Sequence, residues 1–176
     1  MAGERIGDWM QTYTGRAFWP LDPRADEVCI EDIAHSLSMR CRYGGHTTRF
    51  YSVAEHAFLV SQHVPAEHAL WGLLHDAAEA YSADVPRPLK RCLPDWKPLE
   101  ANIMAAVCDR FGLGYAEPAI VKHVDLAMTA DEQAALMVPC ERAWGTLPPP
   151  VGAAIRCWSP AAAEFFFLDR FRELAG

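Results

Sequence analysis

The stretch from Leu74 to Lys90, LHDAAEAYSADVPRPLK, holds the densest chemistry of the chain: an adjacent His75-Asp76 pair, Glu79 three residues on, and Asp84 just beyond. Adjacent side chains on a helix point about 100° apart. His75 and Asp76 can therefore converge only on a body lying against that edge, such as a metal ion. Glu79 follows His75 by four and Asp76 by three and shares their face. The preceding residues, Ala69-Leu70-Trp71-Gly72-Leu73-Leu74, are apolar. Burying three ionisable groups beside them without partners costs on the order of several kcal/mol, a cost that a metal ion relieves.

Two further residues of matching type are candidates, His56 and Asp125. Two imidazoles and two carboxylates suit a divalent ion such as Mn²⁺, Co²⁺, Zn²⁺ or Fe²⁺ and leave positions for water or a phosphate oxygen. Spacing alone does not bring these separate helices together. His46, after Gly44-Gly45 in a polar loop, is the reserve ligand. His35, His63, His68 and His123 are read as structural, and Glu132 is assigned to solvent or the pocket rim. Arg87 and Arg91 are read as a solvated basic face, and Arg16 and Trp19 as packing of an N-terminal arm.

The elements that must position these groups are mostly helical. Trp9 to Arg24 lacks helical period and is expected to form an extended arm or short hairpin. Ile30, Ile33, Ala34 and Leu37 recur at three-four spacing, with Glu31 and Asp32 in the first turn, until the Gly44-Gly45 loop breaks the helix. Ser52-Val53-Ala54-Glu55 matches a capping box and opens a helix that carries His56 to about His63. Pro65 suits the first turn of the next helix, expected to carry His75-Asp76 and stop near Ser82. Pro86 and Pro88 fix a loop, and Asp95 is expected to cap a helix closed by Gly112. A long helix from about Pro118 to Met137 carries Asp125. Pro148 to Pro150 stiffen a connector, and Ser159-Pro160 starts a last helix whose Phe165, Phe166 and Phe167 are expected in the core. The class is all-α.

With 176 residues, 51% of them apolar and 22% charged, the chain suits one domain with a substantial core. We divide it into an arm (1–28), a helical core (29–137) and a C-terminal connector with its helix (138–176). The net charge of −7 argues against a non-specific grip on nucleic acid polymer or on an anionic membrane. It does not exclude a phosphorylated small substrate, because one bound cation reverses the field inside a pocket. The six cysteines form no CxxC pair and read as small buried hydrophobes with reduced thiols. Neither a signal peptide nor an apolar run of about 18 residues is evident, so a cytoplasmic protein is expected.

The order His56, His75-Asp76, Asp125 resembles the H…HD…D signature of the HD-domain phosphohydrolases. Within them, HDAAEAYSADVPRPLK is similar to the bacterial 5′-deoxynucleotidases and the small phage dATP triphosphohydrolases. Arg42-Tyr43, the segment Tyr51 to His56, and Val121 to Asp125 extend the likeness over about residues 30–135. The resemblance implies an HD-domain helical bundle with metal ligation by His56, His75, Asp76 and Asp125. It implies catalytic roles for Glu79 and Asp84, with Glu79 acting on the attacking water or the leaving oxygen. Arg42 and Lys90 would hold phosphate oxygens, and Pro88 would line a nucleobase pocket. Tyr43, standing where these proteins usually have Trp, would stack on base or sugar. The cofactor implied is a divalent ion (Mn²⁺, Co²⁺, Zn²⁺, Fe²⁺ or Mg²⁺), the substrate a nucleotide, and the assembly a homo-oligomer. The expected reaction is hydrolysis of a deoxynucleotide phosphoester or phosphoanhydride, as a 5′-deoxynucleotidase or a triphosphohydrolase. Hydrolysis of cyclic or alarmone nucleotides is the alternative enzyme reading. A nucleotide-binding module with a structural metal is the alternative from outside enzymology.

Overall fold

The computed structural model describes residues 4–176. The arm forms a hairpin, as its lack of helical period requires: β1 (Met10–Gln11) pairs antiparallel with β2 (Ala17–Phe18), Met10 opposite Phe18. Among the described residues every other regular element is helical. The helices are α1 (Ile30–Met39), α2 (Val53–His63), α3 (Ala69–Leu74), α4 (Arg87–Lys90), α5 (Trp96–Phe111), α6 (Ala119–Leu136) and α7 (Pro160–Ala175). The molecule is an all-α bundle, and among the described residues no helix is long and apolar enough to cross a membrane.

Helix α2 is the central rod. Its Val53, Ala54 and Ala57 join Ile33, Leu37, Leu73, Ile103 and Phe167 in one cluster, while its Leu59 and Val60 join Trp71, Val121, Met128 and Leu136 in a second. A helix apolar on both flanks must be buried all round, and His56 between the two clusters is fully buried. Gly72 lets α3 approach closely. A Cβ there would meet Val64 Cγ2 at 3.1 Å and the Ser61 backbone at 3.2 Å.

Several local expectations are corrected. Ser52 does cap α2, accepting from Glu55 N at 3.0 Å. Glu55 does not reach back, however. Its carboxylate accepts the amides of Arg156, Cys157 and Trp158 at 2.7, 2.9 and 2.6 Å. Three amides from one loop satisfy a buried carboxylate better than a single N-terminal donor does.

The helix expected from Pro65 to Ser82 is divided. α3 ends at Leu74, Asp76 leaves helical geometry (φ −101°, ψ 13°), and Ala77–Ala80 winds as a 3₁₀ turn. In that tighter winding residues i and i+3 eclipse, so Glu79 lies over Asp76. The proline loop contains the short α4, with Pro88 in its first turn, where a missing N–H costs nothing. Asp95 precedes α5 without bonding it through its side chain, and Gly112 closes that helix in the left-handed conformation (φ 68°).

Of the three phenylalanines in α7 only Phe167 is core. Phe165 and Phe166 stay on the outer face, the latter against Trp158. A helix face buries residues three or four apart, so Phe167 shares its burial with Ala163. The six cysteines are all free, but only Cys29 and Cys108 are buried. Cys92 and Cys140 are exposed, so burial as small hydrophobes describes a minority of them.

Candidate metal centre and cavity

The four candidate ligands come from three separate regions of the chain; His56, His75 and Asp125 converge on one point, and Asp76 stands beside His75 outside that group of three. His56 Nε2 lies 3.2 Å from His75 Nε2 and 3.2 Å from Asp125 Oδ1. His75 Nε2 lies 3.9 Å from Asp125 Oδ1. Asp76 Oδ2 stands 3.3 Å from His75 Nε2 and 3.8 Å from His56 Nε2. Donors about 2.0–2.2 Å from one ion are separated by roughly 3–4 Å from each other, so these separations suit a shared metal. His56, His75 and Asp125 form a group that can hold a metal ion, their ligand atoms lying within 4.8 Å of one another.

Each imidazole is oriented from behind. His75 Nδ1 donates to the Gly72 carbonyl at 2.8 Å, which aims its Nε2 at the centre. His56 Nδ1 donates to Glu132 Oε1 at 2.7 Å, with the same effect. A hydrogen bond at one ring nitrogen fixes the tautomer that presents the other.

Glu132 corrects the assignment to solvent or pocket rim, for it is completely buried. Besides His56 it holds Arg42, through Nε at 3.3 Å and Nη2 at 3.4 Å, and the hydroxyl of Tyr43. Its legible signal is the spacing from Asp125, seven residues or about two turns along α6, which puts both carboxylates on one face.

Arg42 and Tyr43 reach the centre because the loop after α1 is folded back. A bridge joins Cys41 to Ser52, Arg42 N donates to Tyr51 O at 2.9 Å, and Thr48 N donates to the Leu136 carbonyl at 2.8 Å. Tyr43 adopts the left-handed conformation (φ 58°) that a bulky residue avoids. Its hydroxyl bond to Glu132 and the adjacent Gly44 and Gly45, also at positive φ, sustain the turn. Arg42 Nη1 lies 3.3 Å from Asp76 Oδ2. Arg42 thus donates from Nη1 and Nη2 to carboxylates, while its Nε, though 3.3 Å from Glu132 Oε1, is buried without a hydrogen-bond partner.

Charges inside the site are strongly perturbed. Burial works against the charge on His75, but Asp76 beside it overrides this and raises the imidazole to about 10. Burial also opposes charge on Asp76, and the His75 imidazolium wins, holding that carboxyl far below the usual range. Asp125 is held at about 2, burial being outweighed by its bond to His56. Glu79 goes the other way. Burial, with Asp76 and Asp84 nearby, pushes it up to about 9, so it is a neutral acid at pH 7. Its Oε1 faces Lys90 Nζ at 3.3 Å, its Oε2 is buried without a partner, and Lys90 also holds Glu100 at 2.7 Å. Burial likewise raises Asp84.

The centre opens into a cavity of about 1070 Å³. All the sequence-predicted site residues but the enclosed His56 line it: Arg42, Tyr43, His75, Asp76, Glu79, Asp84, Pro88, Lys90 and Asp125. His46 is exposed and takes no part. Arg87 and Arg91 are exposed, in keeping with a solvated basic face, and Arg87 also borders the cavity, where Lys97, Lys122, Tyr115 and Trp144 stand. Arg16 bonds the Asp26 carbonyl and Trp19 stacks under Arg5, so both belong to the arm.

Fold and site together define an all-α protein with a His/Asp group that can hold a metal ion, set beside a large cavity. The chain is 40% identical over 170 residues to the uncharacterized protein YfdR of Escherichia coli (strain K12), the match covering 95% of this chain and 96% of that protein. It is 33% identical over 187 residues to an uncharacterized protein of Rhodobacter capsulatus, covering 94% and 95%. It belongs to the family of these two proteins. No protein-family model matches it.

Proposed function

We propose that the protein is a divalent-metal-dependent phosphohydrolase of the HD-domain type that hydrolyses deoxynucleotides, as a 5′-deoxynucleotidase or a deoxynucleoside triphosphohydrolase. The observation that carries this reading is the convergence of His56, His75 and Asp125, whose ligand atoms lie within 4.8 Å of one another, with Asp76 Oδ2 3.3 Å from His75 Nε2, beside a cavity wall that also bears Glu79, Arg42 and Lys90. A purely structural metal site needs the ligands alone. It gives no reason for a neutral buried carboxyl beside them or for cations on the same wall.

A divalent ion bound by these groups supplies a Lewis acid toward a phosphoryl oxygen and acidifies water. Glu79, protonated below about 9, donates to the departing oxygen. Lys90 at 3.3 Å then partners the carboxylate that results. The second N–H of Arg42 Nη1 and of Nη2, not used by Asp76 and Glu132, together with Lys90, bind phosphate oxygens and oppose the charge that builds on them. Asp84 orients the groups around Glu79.

The test is product analysis on deoxy- and ribonucleotide mono- and triphosphates with Mn²⁺, Co²⁺, Zn²⁺, Fe²⁺ or Mg²⁺, comparing wild type with Glu79→Gln. The expected loss in kcat is about 10²–10⁴-fold, with metal content retained. Orthophosphate release identifies the nucleotidase, tripolyphosphate release the triphosphohydrolase. A metal-loaded wild type that binds nucleotide and turns over none of the panel overturns the reading in favour of a binding module.

A further inference from the structure

Beyond α6 the chain leaves the core as an extended connector and returns to it by an unusual means. Asp131 accepts the amides of Val151, Gly152 and Ala153 at 2.9, 3.0 and 3.2 Å. Glu55 accepts those of Arg156, Cys157 and Trp158. Between the end of α6 and the first of these anchors, among the described residues, the segment 138–150 makes no hydrogen bond to the body. It nevertheless lies along the cavity, and what it contributes there is Trp144 and Leu147.

Trp144 meets Tyr43 with ring centroids 5.6 Å apart and planes tilted by 53°. The Arg42 guanidinium lies 5.4 Å from the Tyr43 centroid on the way to Asp76. A row therefore runs along the wall from the metal-binding carboxylates through a cation to two aromatic rings. Charge is concentrated at one end and π surface at the other. Trp144 is 38% exposed, and its indole N–H has no partner among the described residues. An indole left this open, on a segment held at its ends only, is a poor packing element. It is well suited to lie against a planar ring that enters the cavity.

We infer that Trp144 is a substrate-recognition residue that stacks on the nucleobase of a nucleotide whose phosphate lies at the metal centre, and that binding the base orders the segment 138–150. The inference rests on the phosphohydrolase reading for the phosphate end and on the Tyr43–Trp144 geometry for the base. It predicts that discrimination between a nucleotide and the same phosphoester without a base resides in this side chain. Every base has a π face, so stacking tolerates base identity, and purines gain more than pyrimidines because they offer more surface.

The experiment compares wild type, Trp144→Phe and Trp144→Ala on dAMP, dCMP and deoxyribose 5-phosphate. In Trp144→Ala the ratio of kcat/KM for dAMP over deoxyribose 5-phosphate is expected to fall about tenfold, carried by KM for dAMP with kcat within about twofold. Trp144→Phe is expected to restore most of it. A ratio unmoved in Trp144→Ala, or a loss shared equally by both substrates, overturns the inference. Direct binding supplies the second measurement. dAMP is expected to quench tryptophan fluorescence in wild type, to quench it far less in Trp144→Phe, and to slow amide exchange over 138–150. If wild type hydrolyses none of these esters, the nucleotidase form of the reading fails, and the same kcat/KM comparison is made with dATP against inorganic tripolyphosphate; no turnover of dATP either removes the phosphohydrolase reading. The fluorescence titration then still decides Trp144, since equal quenching in wild type and Trp144→Phe rejects it.

Discussion

Glu132 binds three groups at once, and each bond constrains a different part of the site. Its Oε1 fixes the His56 tautomer, its carboxylate neutralises Arg42, and it anchors the hydroxyl of a tyrosine held at positive φ. Removing a carboxylate from behind a metal-binding imidazole typically costs about 10–100-fold in metal affinity. Glu132→Gln keeps the shape and an acceptor but loses the charge, so we expect a loss in that range by chelator competition. An unchanged affinity would assign Glu132 to packing. The same residue carries a pH signature. Burial opposes its charge, but Arg42 and His56 outweigh burial and hold the carboxyl at about 2 in the folded state, against 4.5 unfolded. The folded state gains the full benefit above 4.5 and loses it as pH falls through about 2. The difference corresponds to roughly 3 kcal/mol. Acid unfolding should therefore be shallower between about pH 4.5 and 2 in Glu132→Gln than in wild type, and equal slopes would remove Glu132 as the cause.

At the scale of elements, the centre depends on how closely α3 approaches α2. Gly72 does two things there: it clears space against Ser61 and Val64, and its carbonyl orients His75. A methyl group at 3.1–3.2 Å from those neighbours pushes against backbone as well as side chain. Gly72→Ala is expected to destabilise by about 1–3 kcal/mol and to weaken metal binding as His75 moves from His56. Denaturant midpoints and metal titration measure the two effects, and a variant as stable and as tight as wild type would mean that α3 has room to spare. The helices themselves were legible in the sequence wherever apolar spacing, a capping serine or a terminal glycine marked them, as in α2 and α5. The division of the helix at Asp76 was not. Ala-Ala-Glu-Ala favours an α-helix locally, and the 3₁₀ turn is imposed by tertiary contacts such as Ser36 Oγ on the Ala80 carbonyl at 2.9 Å. The types of the candidate ligands were legible in the sequence, but their convergence was not, since spacing alone does not bring separate helices together. Glu132 carried only the spacing of seven from Asp125, which a solvated glutamate on a helix shares, and Trp144 carried no signal, because a connector has no period to read.

For the whole molecule, the two carboxylates that hold the connector sit beside site residues in the chain: Glu55 precedes His56 and Asp131 precedes Glu132. The helices that build the centre therefore also fasten the C-terminal segment, using the neighbouring position on each. α7, delivered by that segment, packs on α1, α2 and α3 and contributes Ala163 and Phe167 to the main core. Closing the bundle thus draws on the Glu55 bonds, made 101 to 103 residues apart in sequence, and on the Asp131 bonds, made 20 to 22 apart. Glu55 is the stronger fastening because it is fully buried, whereas Asp131 is partly open to solvent. In Glu55→Gln the amide oxygen can still serve Arg156 and Cys157, but the NH₂ group is turned on the Trp158 amide, donor against donor. Leaving a buried donor unsatisfied costs about 1–3 kcal/mol, and the charge assistance of the other bonds is lost as well. For a chain of this length that lowers Tm by about 2–12 °C. Asp131→Asn, with water able to replace its bonds, should cost less than half as much and instead speed amide exchange at 151–153. Should Glu55→Gln melt within a degree of wild type, α7 is held by its apolar face alone and the connector is merely tied to a bundle already closed.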